Sequence, residues 1–329
     1  MKRISSLGCW LLAALFFVPV PVRPTDQKND VEAIGSRDVA RKSIISIEKE
    51  VAIGRQYAAE IDKSAKLVTD PVVTEYVNRL AQNIARNSDL KVPLTAKVLD
   101  MPDINAFALP GGFMYVNSGL LSAAEAEAEF AGVIAHEVAH VAARHWASQM
   151  TKSTILQYAM IPLIFTPMSY PVYVGVSQGL NLGIPLTFLK FSRNAESEAD
   201  LLGLQYMYKA GYDPNAYVAF FGRIMDVQRR SPDSAPAVFL DHPMTGDRII
   251  KSEEAINEVL PKKASYLVST SEFDDVRDRL LATMKRRKLQ KSEDNKPTLQ
   301  KREAANDSPD QRERSSEDQD KPPVLRRHE

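Results

Sequence analysis

The sequence predicts a mainly α-helical protein with a small β-sheet, an α+β fold. Apolar residues recur at helical spacing along much of the 329-residue chain, beginning with Ile47 and Val51. Two stretches with strand character, 96–99 and 105–117, interrupt the helices, and Pro110-Gly111-Gly112 divides the second into a hairpin. An apolar content of 44% supplies the side chains for a sizeable core.

The first 24 residues have the pattern of a signal peptide or N-terminal anchor. A charged start precedes an uncharged apolar run, 4–22, in which Pro19 and Pro21 shorten any helix below the ~20 residues of a membrane span. We therefore expect an exported protein, either periplasmic or membrane-associated on the periplasmic side. Residues 25–44 are polar and are predicted to be a linker.

Helices dominate residues 45–264, which we predict to form one domain. Their starts are marked by capping residues or by proline in the first turn, and Ser122 with Glu125 forms a capping box. Residues 265–290 are expected to add a short strand and a further helix. The predicted helices begin at Ser46, Asp70, Ser122 (a long helix that runs toward Met150), Phe191, Asp213, Gly246 and Ser271.

Residues 153–189 form an uncharged segment of 37 residues that four prolines interrupt. Its longest proline-free run, 172–184, has 13 residues. Such a run spans roughly 20 Å as a helix, short of the ~30 Å hydrocarbon core of a membrane. Two interpretations remain open: a buried helical hairpin, or a lid or re-entrant segment that contacts the bilayer or an apolar substrate.

Charge and cysteine content exclude several classes of function. The chain has 42 basic and 42 acidic residues, so it has no basic surplus for binding nucleic acid. The single cysteine, Cys9, lies in the predicted export segment, which leaves no thiol for catalysis or metal binding in a mature chain. The last 39 residues, 291–329, include 19 charged residues and are predicted to be a disordered tail.

The sequence His136-Glu137-Val138-Ala139-His140 lies inside the predicted long helix. Four residues advance a helix by about 400°, so the two imidazoles lie one turn apart and can hold one ion between them. Glu137 is offset from both, within reach of a water molecule on that ion but not placed as a ligand. This is the arrangement of a metalloprotease in which the glutamate is the general base.

The third ligand is expected to be a carboxylate or His242. On a continuous helix, His145 lies about 140° from His140, so it is predicted to face the other side and to have a supporting role. Glu196 and Asp200 share an apolar face of the next helix, and the simplest assignment makes Glu196 the ligand and Asp200 its support. Glu198 points roughly opposite and is predicted to be a solvated charge.

Together these residues resemble the M48 metallopeptidases, the gluzincin family that includes the CAAX prenyl proteases. The chain looks closest to the exported branch related to bacterial envelope-quality-control proteases. The shared motifs are His-Glu-Val-Ala-His, Ser-Arg-x-x-Glu-x-Glu-Ala-Asp over 192–200, Asn-Ala-Phe-Ala-Leu-Pro-Gly-Gly from Asn105 with Val-Asn-Ser-Gly-Leu from Val116, and His242-Pro with Arg248.

The resemblance implies a gluzincin fold in which the active-site helix packs beside a short sheet. It also implies one zinc ion per chain, held by His136, His140 and Glu196, with Glu137 activating the water. Asp200 would be a proton donor or orient a ligand.

Two further roles follow from the resemblance alone. His242 would stabilise the tetrahedral oxyanion or occupy the fourth zinc position in a closed form, and Arg248 would pair with Asp200.

The predicted function is that of a zinc-dependent endopeptidase for misfolded or membrane-associated envelope proteins. An extended polypeptide is expected to dock on the strand Ala106-Phe107-Ala108. A membrane surface and the outer-membrane assembly machinery are the further expected partners. The alternative is a zinc-stabilised chaperone or assembly module that binds apolar polypeptide with little proteolysis.

Overall fold

The computed structural model describes residues 28–164, 190–230 and 242–294. Within these ranges the helices are α1 (Ile47–Ser64), α2 (Pro71–Arg86), α3 (Ser118–Ala123), α4 (Glu127–Ala142), α5 (His145–Ile164), α6 (Arg193–Ala210), α7 (Asn215–Arg230), α8 (Gly246–Glu258) and α9 (Ser271–Asp294). The strands are β1 (Thr95–Leu99), β2 (Ala106–Leu109) and β3 (Phe113–Asn117). This architecture confirms the predicted mainly helical α+β fold class.

Side-chain caps fix the starts of helices α2 and α6. The carboxylate of Asp70 accepts a hydrogen bond from the Val72 N–H, and the Ser192 hydroxyl accepts one from the Ala195 N–H. Each cap of this kind contributes about 1 kcal/mol to helix stability. Helix α6 ends at Ala210 and is capped by Gly211, whose φ of 94° lies in the left-handed region that glycine adopts without strain. The sequence thereby sets both ends of the helix that carries the predicted carboxylate ligand.

The sheet has the strand order β1-β3-β2, with β1 parallel and β2 antiparallel to the central strand β3. Gly111 and Gly112 turn the chain between β2 and β3, both at positive φ. A Cβ atom on Gly111 would lie 2.5 Å from the Cα of Val51 in helix α1, so the turn also requires the absence of a side chain. Because β2 is the last strand in this order, it lies at the edge of the sheet. The turn that follows it packs against α1.

Helix α4 lies at the centre of the domain, and Val141 is its one residue that is not buried. It packs against helices α2, α6 and α7 and against strand β2. Gly203 allows α6 to approach the α4 backbone at His136. The helix with the His-Glu-x-x-His sequence is thus packed beside the short sheet. The described residues up to Met284 form one compact unit, which contains every side chain discussed below.

The predicted long helix from Ser122 to Met150 is wrong, because the structure divides it. Helix α4 ends at Ala142 and α5 begins at His145, with Arg144 between them in the left-handed region at φ 54°. The predicted capping box does not form either. The Ser122 hydroxyl donates to the carbonyl of Ser118 within the separate short helix α3.

Residues 28–44, predicted to be part of a linker, pack against the domain instead. Val31 and Val39 belong to the hydrophobic core. Arg37 is buried, and its Nη2 lies 2.7 Å from Oδ2 of Asp89. A charged residue of this segment is therefore paired with a residue of the domain and is not solvated.

Several predictions concern residues outside the described ranges, namely 1–24, 165–189 and 295–329. The first part of the apolar segment, 153–164, belongs to helix α5, and residues 291–294 belong to α9. The predicted strand near residue 267 is a single bridge between Leu267 and Tyr212. No helix in the described part of the chain is both long enough and apolar enough to cross a membrane.

Candidate metal centre

Helices α4 and α6 bring three predicted ligands together. The Nε2 atoms of His136 and His140 are 3.0 Å apart. Glu196, in the first turn of α6, places Oε2 3.5 Å from Nε2 of His136 and Oε1 3.6 Å from Nε2 of His140. All three side chains are buried.

These donor atoms fit a tetrahedral zinc ion. Ligand atoms at about 2.0–2.1 Å from zinc lie about 3.4 Å apart when arranged tetrahedrally. The three observed separations, 3.0, 3.5 and 3.6 Å, lie around that value. Two imidazoles and a carboxylate are also a usual zinc donor set. The residues present can therefore hold the ion that the sequence predicts.

His242 completes a cluster of four potential ligands. Its Nδ1 lies 3.1 Å from Oε1 of Glu196, and its Nε2 lies 3.4 Å from Oε1 of Glu137. One donor atom from each of His136, His140, Glu196 and His242 lies within 4.8 Å of the others. All four side chains are at most 4% exposed. In this structure, His242 closes the side of the cluster that faces Glu137.

Glu137 lies beside the cluster and contacts the edge strand. Its Oε2 accepts a hydrogen bond of 3.1 Å from the N–H of Ala108 in β2. Burial raises the pKa of Glu137, and the smaller opposing effects of His242 and His136 do not cancel it. A carboxylate with a raised pKa accepts protons more readily, as a general base must.

Asp200 and Arg248 form a buried ion pair behind His136. Arg248 contacts both carboxylate oxygens, with Nη2 2.6 Å from Oδ1 and Nε 2.7 Å from Oδ2. Burial raises the pKa of Asp200, but the hydrogen bonds from Arg248 and His136 outweigh this effect and lower it. Nδ1 of His136 lies 3.1 Å from Oδ1 of Asp200. An ionised Asp200 therefore accepts the Nδ1 proton of His136, which leaves its Nε2 lone pair for a metal.

Arg248 also connects the ion pair to the predicted metal ligand, since its Nη1 lies 3.0 Å from Oε2 of Glu196. Burial raises the pKa of Glu196, but its contacts with His136 and His242 reverse the effect and lower the pKa far below its usual range. Glu196 is thus held as a carboxylate.

The sequence did not identify two aromatic residues of the site. The Tyr217 hydroxyl donates to Oδ1 of Asp200 at 2.5 Å and lies 3.2 Å from Nδ1 of His136. Phe191 stacks on His140 with ring centroids 4.3 Å apart. Tyr217 lies on helix α7, and no motif or spacing relates it to the ligands. Phe191 directly precedes the Ser-Arg motif, which was the one available signal.

The predicted orientations of His145 and Glu198 are wrong. The turn at Arg144 brings His145 back toward His140, with their Nδ1 atoms 2.9 Å apart. Nε2 of His145 lies 3.2 Å from Oε2 of Glu198. The side chain of Glu198 is only 13% exposed and pairs with Arg41 at 2.6 Å, so it is not a solvated charge. Burial alone would raise the pKa of Glu198. The hydrogen bonds that its carboxylate accepts from His145, Lys28 and Arg41 outweigh this effect and lower the pKa to about 2.

The strand predicted to bind substrate lies beside the cluster at the sheet edge. Phe107 stacks on Tyr115 of β3, with ring centroids 5.5 Å apart, and its side chain lies on the opposite face of the strand from Ala106 and Ala108. The N–H of Ala108 points away from β3, toward Glu137. The structure therefore brings Ala108 next to the predicted base. The Phe107 side chain is partly buried and packs against the hydrophobic core.

Comparison with known proteins relates the sequence of the chain to a peptidase family. The sequence pattern of peptidase family M48 matches residues 71–256, a range that includes every predicted ligand. "Putative beta-barrel assembly-enhancing protease" of Vibrio cholerae serotype O1 is 31% identical over 252 residues, which are 75% of this chain and 52% of that protein.

Two further relatives come from different organisms. "Beta-barrel assembly-enhancing protease" of Escherichia coli K12 is 27% identical over 263 residues, 78% of this chain and 53% of that protein. "Mitochondrial metalloendopeptidase OMA1" of Schizosaccharomyces pombe is 36% identical over 193 residues, 58% of this chain and 55% of that protein. The chain spans about half the length of these curated relatives.

Proposed function

The chain belongs to peptidase family M48, and from this premise we propose that it is a zinc-dependent endopeptidase. One observation carries the proposal: the donor atoms of His136, His140 and Glu196 converge, and the carboxylate of Glu137 lies beside them. The names of the relatives, which are proteases and metalloendopeptidases, support the same activity.

Zinc bound here would acidify a water molecule and polarise the peptide carbonyl. Glu137 takes a proton from the attacking water and passes it to the leaving amine. The Ala108 N–H holds one oxygen of Glu137 and so leaves the other for proton transfer. Asp200 fixes the tautomer of His136, and Arg248 keeps Asp200 ionised and in place.

The substrate would be an extended polypeptide that adds to the outer edge of β2. Because Asn105 pairs with Asn117 through the backbone, alternation along the strand turns the N–H groups of Phe107 and Leu109 toward β3 and that of Ala108 outward. A backbone docked on this edge lies next to Glu137. Main-chain pairing recognises extended polypeptides with little demand on sequence, as expected for an endopeptidase with broad substrates.

His242 must leave its position between Glu196 and Glu137 before a substrate carbonyl can enter. We propose that the closed arrangement is a resting state. In the open state, the buried imidazole of His242 would be available as a donor to stabilise the charged tetrahedral intermediate.

We further propose that the protein is exported and acts in the periplasm or at its membrane surfaces. The charged and then apolar pattern of residues 1–24 supports export. The names of two bacterial relatives refer to beta-barrel assembly, which supports misfolded or membrane-associated envelope proteins as substrates and the outer-membrane assembly machinery as a partner. Fractionation of bacteria that express the full chain tests the location, and recovery in the cytoplasm would contradict it.

The experiment that tests the activity compares the full chain with Glu137→Gln for zinc content and casein cleavage. Residues 28–44 must be retained because they pack on the domain. The wild type is expected to contain one zinc ion and to cleave casein. The variant should keep the zinc and the fold but lose roughly 10²–10⁴-fold in cleavage. A folded wild type without zinc would contradict the proposal.

A second candidate function rests on the closed cluster. Structural zinc sites have four protein ligands, whereas catalytic sites keep one position open. The potential ligand atoms of His136, His140, Glu196 and His242 make such a set of four. On this reading the chain is a zinc-stabilised chaperone or assembly module. Equal activity of wild type and Glu137→Gln in cells would favour it.

A further inference from the structure

A series of hydrogen bonds leads from His140 to the segment that precedes helix α1. Nδ1 of His140 lies 2.9 Å from Nδ1 of His145, and Nε2 of His145 lies 3.2 Å from Oε2 of Glu198. The same oxygen accepts a hydrogen bond of 2.6 Å from Nε of Arg41. Oε1 of Glu198 accepts one from Nζ of Lys28. Three contacts thus join a predicted metal ligand to the N-terminal part of the chain.

Metal binding determines the direction of each hydrogen bond in this series. An imidazole that gives its Nε2 lone pair to a metal carries its proton on Nδ1. His140 therefore donates from Nδ1, and Nδ1 of His145 accepts. His145 must then carry its own proton on Nε2, which it donates to the carboxylate of Glu198. Every donor meets an acceptor, so the series is consistent from end to end.

The two imidazoles are shielded from solvent. His140 and His145 are 4% and 2% exposed. Phe191 covers both rings, with centroid distances of 4.3 and 5.8 Å. A buried donor without an acceptor costs about 1–3 kcal/mol, so the wrong tautomer of either histidine would be disfavoured here.

The N-terminal segment 28–44, which we call the strap, is anchored on both sides of this contact. Before it, the buried guanidinium of Arg37 donates twice to Oδ2 of Asp89, at 2.7 and 3.1 Å. At the contact itself, the backbone N–H of Arg41 donates to the carbonyl of Ala143 at 3.0 Å, and after it the N–H of Ile44 donates to Oγ1 of Thr151 at 3.1 Å. The strap therefore presents its two cations to Glu198 from a fixed position.

We propose that the strap positions the metal ligand His140 through Glu198 and His145. Arg41 and Lys28 hold the carboxylate of Glu198, Glu198 fixes the tautomer of His145, and His145 fixes the ring of His140. Partners of this kind typically contribute 10–100-fold to metal affinity. The inference rests on the proposed function only in placing zinc on His140. It makes Arg41, Glu198 and His145 positioning residues.

The test is the dissociation constant for Zn²⁺ of the full chain, measured by competition with a chromophoric chelator. Glu198→Gln and His145→Gln are each expected to raise it by about 10–100-fold. Arg41→Gln should raise it by less, since Lys28 remains. Lys42→Gln is the matched control, because it removes the same charge from the neighbouring exposed position and should leave the constant unchanged.

A second measurement does not depend on the variants. Imidazole ¹⁵N spectra of the zinc-loaded wild type are expected to show His140 protonated at Nδ1 and His145 at Nε2. A purely structural ion pair at Glu198 does not predict these tautomers. His145 protonated at Nδ1 would overturn the proposal even if the variants fail to fold.

The outcomes separate this proposal from the proposed function. Folded Glu198 and His145 variants with wild-type zinc affinity overturn the strap proposal and leave the endopeptidase intact. A wild type that binds zinc, with the expected losses in the variants, but cleaves no casein overturns the endopeptidase and supports the strap proposal. A wild type that binds no zinc overturns both.

Discussion

Gly203 in helix α6 lies directly against the backbone of His136 in helix α4. A Cβ atom on Gly203 would lie 3.1 Å from N and 3.2 Å from Cα of His136. Both atoms belong to a buried helix backbone, which cannot move aside as a flexible side chain does. This close approach sets the distance between the two histidines of α4 and the carboxylate of Glu196.

Gly203→Ala should therefore destabilise the protein by about 1–3 kcal/mol, as overpacked cores do, and weaken zinc binding. Gly222→Ala is the matched control in helix α7, where an added Cβ meets nothing within 4 Å. The control should gain up to about 1 kcal/mol from helix propensity. Urea unfolding with a zinc titration measures both effects. Equal behaviour of the two variants would show that the close approach does not matter.

Removal of zinc should lower the stability of the domain, because the ion binds the folded chain only. At a free zinc concentration 100 times the dissociation constant, the stabilisation is about 2.7 kcal/mol. The thermal midpoint should rise on zinc addition in the wild type and in Glu137→Gln, since Glu137 is not a proposed ligand. Glu196→Gln should lose most of the increase. A Glu137→Gln chain that no longer responds to zinc would make Glu137 a ligand and contradict its assignment as the base.

The central part of the site could be predicted because local geometry determines it. Helical spacing alone places His136 and His140 on one face, and it does the same for Glu196 and Asp200. The ends of the flanking helices follow from caps such as Asp70, which act over two or three residues. Interactions of this range are readable from the sequence.

The break between helices α4 and α5 could not be predicted, because its cause is distant in sequence. Arg144 donates from Nε to Oε1 of Glu50 at 3.1 Å, a residue 94 positions away. The left-handed backbone of Arg144 occurs together with that distant contact. It is not marked by a glycine or asparagine, the residues that usually signal such a conformation in a sequence. The orientation of His145 depends on this turn, so its contact with His140 could not be predicted from the sequence either.

The packing of the strap on the domain could not be predicted for a similar reason. Its polar residues are typical of solvated chain, and their partners are remote: Asp89 lies 52 residues from Arg37, and Glu198 lies 157 residues from Arg41. Composition cannot distinguish a solvated charge from one paired across the fold.

His242→Ala should open the site to ligands that bind the metal. If the closed arrangement is the main state of the free protein, opening it costs the wild type part of its affinity for any such ligand. A peptide hydroxamate should then bind zinc-saturated His242→Ala about tenfold or more tightly than the wild type. The same peptide without the hydroxamate is the control and should show no such gain. Equal hydroxamate affinity for both chains would mean that His242 does not occupy the site in solution.

Ala108→Pro tests the outward N–H of the edge strand, which holds Glu137 beside the proposed substrate position. Proline removes the outward N–H that contacts Glu137 but none of the pairing with β3, which uses Phe107 and Leu109. The variant should fold and bind zinc normally. Its kcat/KM for peptide cleavage should fall by about 5–12-fold, the effect of one hydrogen bond of about 1–1.5 kcal/mol. Ala108→Gly retains the N–H and should keep most of the activity, which separates loss of the donor from loss of the methyl group. Unchanged turnover in a folded Ala108→Pro chain would contradict both the role of this N–H in holding Glu137 and the docking of substrate on this edge.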